Sequence, residues 1–559
     1  MSTPRTGGQL VVDQLVIHGV DLVFCVPGES YLAVLDALYD ARDRIRLVNA
    51  RHEAGAANMA EAYGKLTGRP GVAMVTRGPG ACHAAIGVHT AAQDSTPMVL
   101  LVGQIERRTA DRETFQEVDY RQMFGPLAKW VAQVDCAERV PEYLARAFHV
   151  AMSGRPGPVV LALPEDMLTD AVEVADAAPY AASQAAPEPA DLARLRQRLE
   201  AAERPILLLG GSRWSDAACA QVQAFAEAWD LPVAVAFRRM DLIDNRSPVY
   251  AGDLGLAPVP ALPRRLREAD LVVVIGARLG SLTTQYVAAL DAVQPRPTLV
   301  QVYPDADEIG RVCRVDLGIV AGPVAFAAAL AAVAPPAPGA APRWTAWTRA
   351  ANADFVANLQ PSAYDGALDM GCALADLRER LPRDAIITLD AGNHTGWPMR
   401  YLLYGRPGRL LGPISGAMGY SAPAAVAASL VHRDRRVVGF VGDGGFMMSG
   451  QEIATAVQHG AAPILVVFNN ARYGTIRMHQ EREYPGRSIA TELVNPDFAA
   501  LARAYGAHGE LVTRTDEFLP AFERAAGAGR AAVIELRTDP DWLTTRSTIA
   551  GIRAAARKA

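Results

Sequence analysis

Between Val437 and Asn470 the chain spells out a complete strand, turn, helix and strand, and this unit restricts the fold more than any other stretch. The apolar run Val437 to Val441 is short enough to be a buried strand. Gly442-Asp443-Gly444 follows as a turn, and Ser449 with Glu452 reads as the N-cap and capping box of a helix. Ile453, Ala456 and Val457 give that helix its apolar face, and Gly460 is placed to stop it. A second apolar run, Ile464 to Phe468, ends at Asn469-Asn470. A right-handed crossover of this kind lays its two strands parallel. Asp443 and Asn470 are therefore expected at one carboxyl edge of a sheet, where open α/β sheets bind ligands.

Those two side chains suit Mg²⁺, a hard cation that takes carboxylate and amide oxygens and keeps positions for phosphate and water. The neighbouring glycines let the backbone come close to a diphosphate, and a helix start offers N–H donors to it. The rest of the chain has the same grammar. From Gln9 to Leu163 helical patterns alternate with strand-like runs at Asp21–Val26, Ile45–Asn49, Val72–Thr76, Met98–Val102 and Pro158–Leu163. That alternation predicts a parallel sheet covered on both faces. Residues 171–190 are rich in Ala, Pro and acidic side chains and read as a linker. Further strands are expected at Ile206–Leu209, Val233–Ala236, Leu271–Ile275 and Leu299–Val302, and a Pro/Ala/Gly tract at 334–342 reads as a second linker. The expected fold is thus three doubly wound parallel α/β domains, 1–170, 190–335 and 360–559.

Half of the 559 residues are apolar, enough for large cores, and the net charge of −5 gives no reason to expect nucleic acid or an anionic membrane as partner. The six cysteines are scattered without metal spacing, as in a reducing compartment. The first residues lack an apolar signal core and no run is long enough to span a bilayer. A cytoplasmic protein is expected.

The Gly-Asp-Gly turn followed at this distance by Asn469-Asn470 resembles the diphosphate-binding signature of thiamine-diphosphate (ThDP) enzymes. Arg51-His52-Glu53-Ala54-Gly55-Ala56 resembles the segment of that family whose glutamate contacts the cofactor's aminopyrimidine ring. Read by itself, Glu53 is also a first-turn glutamate favoured by a helix dipole. The resemblance implies pyrimidine-binding, central and diphosphate-binding domains in that order. It places Asp443, Asn470 and the Arg472 carbonyl on Mg²⁺. Ala391, Asn393, His394, Gly444, Gly445, Tyr473, Gly474 and Thr475 fall around the diphosphate, and Gly416 and Met418 at the pyrimidine. It also implies that Glu53 of one subunit meets the Asp443–Asn470 site of another, in a homodimer or tetramer.

Within the family the chain is most similar to the acetohydroxyacid (acetolactate) synthase group. Phe115-Gln116-Glu117 matches a motif of that group, and Lys129, one of three lysines, falls where the group has a pocket lysine. Gln116 and Lys129 are thus candidates for handling the acceptor, although a surface lysine resting its stem on apolar neighbours is the plain alternative. The group's chemistry is decarboxylation of a 2-keto acid and carboligation to a second carbonyl. Two departures stand out. Gly276-Ala277-Arg278-Leu279 lacks the acidic pair the group carries there, and Met478-His479-Gln480 lacks its tryptophan. The first weakens the expectation of FAD, which Gly210-Gly211 after a strand keeps open. Both keep open a ThDP decarboxylase or C–C lyase with another acyl donor, beside a flavin-linked 2-keto acid oxidase and a non-catalytic homologue.

Overall fold

The computed structural model describes residues 3–334 and 342–557. Of the tract 334–342, residues 335–341 lie outside the described residues. Three six-stranded sheets, parallel throughout, follow one another along the chain. The first is built from β1 (Leu22–Cys25), β2 (Arg46–Asn49), β3 (Gly71–Val75), β4 (Met98–Gln104), β5 (Trp130–Gln133) and β6 (Pro158–Pro164). The second holds β7 (Pro205–Leu209), β8 (Val233–Ala236), β9 (Tyr250–Leu254), β10 (Leu271–Ile275), β11 (Thr298–Tyr303) and β12 (Leu317–Val320). The third holds β13 (Ile386–Leu389), β14 (Arg409–Leu411), β15 (Val437–Gly442), β16 (Ile464–Asn469), β17 (His508–Val512) and β18 (Ala532–Arg537).

Strand order separates them. The first sheet runs β2-β1-β3-β4-β6-β5 and the third β14-β13-β15-β16-β18-β17, the same order. The second runs β9-β8-β7-β10-β11-β12, the arrangement of dinucleotide-binding sheets. In each sheet the central strands are near-continuous apolar runs, as burial on both faces demands. Val438, Phe440, Val466 and Val467 are fully buried in β15 and β16, each contributing on the order of 1.5–3 kcal/mol of transfer free energy.

Seven helices position the functional residues or join the domains: α1 (Glu53–Thr67), α2 (Pro79–Asp94), α3 (Val140–Met152), α4 (Ser421–Val431), α5 (Asp443–Ser449), α6 (Glu452–His459) and α7 (Gly474–Glu483). The small residues of α1 and α4 let the two helices approach closely. Ala56, Ala60, Ala424 and Ala427 belong to one apolar core that joins the first and third domains. A second core joins the middle and third domains, and Arg238, fully buried, crosses it to donate to Pro413 O at 2.9 Å.

Segment 171–190 crosses the surface as expected, paired briefly to Arg5–Thr6 at its start and stacking Tyr180 on Phe148. The crossover from β15 to β16 is present, with Phe440 opposite Val466 and Gly460 as a left-handed cap. Its helical part differs from expectation. A helix begins at Asp443 itself and ends at Ser449, so Ser449 caps nothing, and its buried hydroxyl has no partner. Glu452 opens α6, but its carboxylate faces the first domain, accepting the Arg51 N–H and the Thr455 hydroxyl. An interdomain contact has displaced a local capping box.

Candidate active site

At the carboxyl edge of the third sheet lies a cavity of about 350 Å³. Its wall includes Ala391, Gly392, Asn393 and His394 after β13, Gly416 and Met418 before α4, and Asp443, Gly444 and Gly445 after β15. Asn470, Arg472, Tyr473, Gly474 and Thr475 after β16 complete it. Every third-domain residue that the resemblance places at the cofactor therefore lines one space.

Asp443 is buried, and desolvation raises its carboxyl above the ordinary range, a penalty on the anion that a divalent cation beside it would relieve. Its oxygens accept the Gly444 N–H at 2.9 Å and the Asn495 amide at 2.8 Å. Asn495 also donates to Asn469 Oδ1 at 2.9 Å, so it ties the ends of β15 and β16 together. Asn470 Oδ1 accepts the Arg472 N–H at 3.1 Å. Opposite, Asn393 N donates to Thr475 Oγ1 at 2.9 Å, bridging the cavity's two sides.

The glycines here are spatial requirements. A Cβ on Gly444 would stand 2.5 Å from the Tyr473 ring, and one on Gly442 2.9 Å from His394 Nδ1. His394 is held neutral: burial, helped by Arg238, pushes its pKa down to about 3, and its Nε2 has no partner in the protein. Asp390, fully buried with a pKa pushed up to about 6 by desolvation, accepts N–H groups of Ala391, Gly419 and Ser421. It fixes the two glycine-bearing loops against each other. An unpartnered imidazole nitrogen, a carboxylate and amide at adjacent strand ends, and backbone pared down to glycine fit a diphosphate and a divalent cation. Two of the expected donors are otherwise engaged, since Tyr473 N–H donates to Thr491 O and Gly474 N–H to Arg472 O.

Glu53 stands apart from this cavity. It opens α1 beside the Gly78-Pro79-Gly80 turn, where a Cβ on Gly80 would lie 3.5 Å from its Oε1, and His83 Nδ1 lies 2.9 Å from its Oε2. Gln116, with φ of 66°, crowds the same turn, so that a Cβ on Gly78 would meet its Cβ at 2.8 Å. Glu53 and Gln116 thus share one edge of the first sheet. Lys129 joins neither group. Its Nζ donates to Val150 O and Ser153 O, both at 2.6 Å, at the carboxyl end of α3, where a cation satisfies carbonyls the helix leaves open.

Sequence reasoning missed Asn495, Asp390 and His83, and misread Glu452 as part of a local cap. Only His83 carried a local signal, a histidine three residues after a Gly-Pro-Gly turn. The middle sheet has a cavity of about 170 Å³ at its carboxyl edge, beside Gly276 and Gly322. Ser183, Gln184 and Ala185 of the linker line it, and Gly322 N–H donates to Ala185 O at 3.0 Å. The enclosed space is smaller than drug-sized ligands occupy.

Three α/β domains, a cavity at the edge of the third whose lining suits a phosphate and a cation, and a carboxylate at the matching edge of the first point to a cofactor-dependent enzyme. The models named Thiamine pyrophosphate enzyme match at residues 5–123 (N-terminal TPP binding domain), 192–330 (central domain) and 390–536 (C-terminal TPP binding domain). The chain belongs to the thiamine pyrophosphate enzymes. It is 33% identical to the acetolactate synthase large subunit of Parasynechococcus marenigrum over 92% of this chain and 84% of that one. It is 30% identical to acetolactate synthase isozyme 2 large subunit of Escherichia coli, covering 91% of each. A probable acetolactate synthase large subunit of Methanocaldococcus jannaschii is 28% identical over 96% of this chain and 92% of its own.

Proposed function

We propose that the protein catalyses ThDP- and Mg²⁺-dependent decarboxylation of a 2-keto acid and joins the acyl unit to a second carbonyl, as in acetolactate formation. One observation carries the reading: the cavity gathers Asp443, Asn470 and His394 while Glu53 waits on a separate edge with the same strand order. ThDP supplies an acidic carbon that serves as nucleophile and electron sink.

The chain's own residues do the rest. Asp443 and Asn470, with the Arg472 carbonyl, hold the cation. His394 and the first turn of α7 meet the diphosphate, and Gly416 and Met418 hold the pyrimidine. Glu53 would hydrogen-bond the ring nitrogen that controls the cofactor's acidity and serve there as acid and base. No step passes through a flavin. A second copy brings Glu53 to the cavity. Exposed Phe115 and Ile86 near Glu53, and Met447, Met448 and Ile476 near the cavity, support such an interface. Gln116, at the same edge as Glu53, is placed to meet the acceptor, and Lys129 reaches it only by leaving the α3 carbonyls.

A second reading, a decarboxylase or lyase with another acyl donor, is favoured by exposed His479 on α7, where acetolactate synthases carry tryptophan. The test is a product screen with ThDP and Mg²⁺ against pyruvate, 2-oxobutyrate, benzoylformate and oxalyl-CoA. Acetolactate from pyruvate alone supports the synthase. Aldehyde without ligation, or turnover of another donor only, replaces it with the second reading.

A further inference from the structure

The first domain holds a pairing that neither the motif nor the relatives' names assign. α2 leaves the Gly78-Pro79-Gly80 turn and sets His83 against Glu53, Nδ1 to Oε2, at 2.9 Å. A second imidazole, His52, lies 4.5 Å from His83 centroid to centroid. Its Nδ1 already accepts the Ala54 N–H at 3.1 Å as the N-cap of α1, so His83 is the ring turned to the carboxylate. The Glu53 side chain is 13% exposed and that of His83 51%, so the histidine covers the carboxylate from the solvent side.

The other groups nearby are otherwise committed. The Tyr31 hydroxyl is tied to Val26 O, and Glu452 reaches the Arg51 N–H rather than Glu53. With Oε2 accepting from Nδ1–H, Oε1 is the oxygen left beside Gly80, in the gap that glycine keeps open.

We propose that His83 is a positioning residue for Glu53: its Nδ1–H holds one carboxylate oxygen so that the other is presented to the cofactor's ring nitrogen. This rests on the reading of Glu53 as the group that meets the cofactor. A carboxylate free to rotate about its last two torsions spends little time at the productive angle, and misplacement by about 1 Å costs on the order of a hundredfold.

The test uses the full-length protein in two states. In cofactor-free protein labelled with ¹⁵N-histidine, the ring signal lost in His83→Ala should report a proton on Nδ1 and should move in Glu53→Gln. With ThDP and Mg²⁺ bound, quenched-flow NMR follows deuterium exchange at the cofactor's reactive carbon. His83→Ala should slow exchange about tenfold to a hundredfold while ThDP affinity changes less than about threefold. His83→Asn, whose amide can donate from nearly the same place, should recover most of the rate. Wild-type exchange in His83→Ala overturns the proposal. So does equal loss in both His83 variants with affinity falling in parallel, the pattern of a merely structural role. If Glu53→Gln still abolishes exchange in either case, the reading of Glu53 stands. Wild-type exchange in Glu53→Gln removes that reading and this proposal together.

Discussion

The first and third domains share a strand order, and each presents its chemistry at the carboxyl edge of its sheet, yet one edge is enclosed and the other open. In the third domain, Asp390 and Asn495 lock the loops after β13, β15 and β16 around a cavity with buried Asp443. In the first, Glu53, His83 and Gln116 gather around a single glycine turn beside exposed Phe115. The difference is one of division of labour. A site that binds a charged ligand must be organised before the ligand arrives, because loosely held dipoles would have to reorganise around it. A carboxyl that acts on the bound ligand can be delivered from elsewhere, provided its own orientation is held. On the proposed function, the same topology serves as a socket in one place and as a plug in the other.

The hardest test of that division removes the socket. Asp443→Ala should abolish Mg²⁺-dependent ThDP binding in titration calorimetry and take turnover to background, since a cation site without its carboxylate loses its main charge. Glu53→Gln should lower turnover by about 10²–10⁴-fold while ThDP affinity stays within about threefold. If affinity collapses as well, the plug is part of the socket and the comparison fails. Co-expressing the two variants separates a site shared between subunits from one within a chain. Random pairing in a dimer restores about a quarter of wild-type activity if each site draws one domain from each copy, and nothing if both halves come from one chain.

The crossover β15–α6–β16 was legible because strands buried on both faces leave continuous apolar runs in the sequence. β5, β9, β12, β14 and β17 were not. They lie at sheet edges, and β17 reads His508-Gly-Glu-Leu-Val with its first three residues only partly buried. Two inner strands of the third sheet were also not read: β13 is only four residues long, and the run of β18 is broken by Glu535. Asp443 and Asn470 were found because strand, turn and helix fix their spacing locally. Asn495 and Asp390 were invisible, since each acts across a gap closed only by packing. Glu452 was misread for the same reason: its spacing from Ser449 suits a local cap, but an N–H from another domain is the better partner once the two sheets share a core. Lys129 illustrates the converse, a residue type suggestive in sequence whose amine is committed to two carbonyls.

Smaller effects sharpen how the socket is held. Asn495→Ala removes the bond that ties Asp443 to Asn469 without touching a ligand position. Loss of such a supporting partner should weaken metal-dependent ThDP binding about tenfold to a hundredfold, with the Glu53 side unaltered in ¹⁵N spectra of His83.

The smallest effect is an acid limit at the third-domain socket. His394 has a folded pKa depressed to about 3 from an ordinary 6.5, because burial and Arg238 disfavour its cation. A depressed histidine contributes stability that is fully present above about pH 6.5 and is lost as pH falls toward 3. The full shift corresponds to at most about 5 kcal/mol, and relaxation of the loop will reduce it. Hydrogen exchange of the cofactor-free protein should therefore show segment 389–396 opening more readily at pH 5 than at pH 7.5, while segment 50–60 changes little. His394→Gln, which cannot take up a proton, should flatten that dependence. Equal acid sensitivity in both segments would mean that the shared core of α1 and α4, rather than the imidazole, governs how the socket opens.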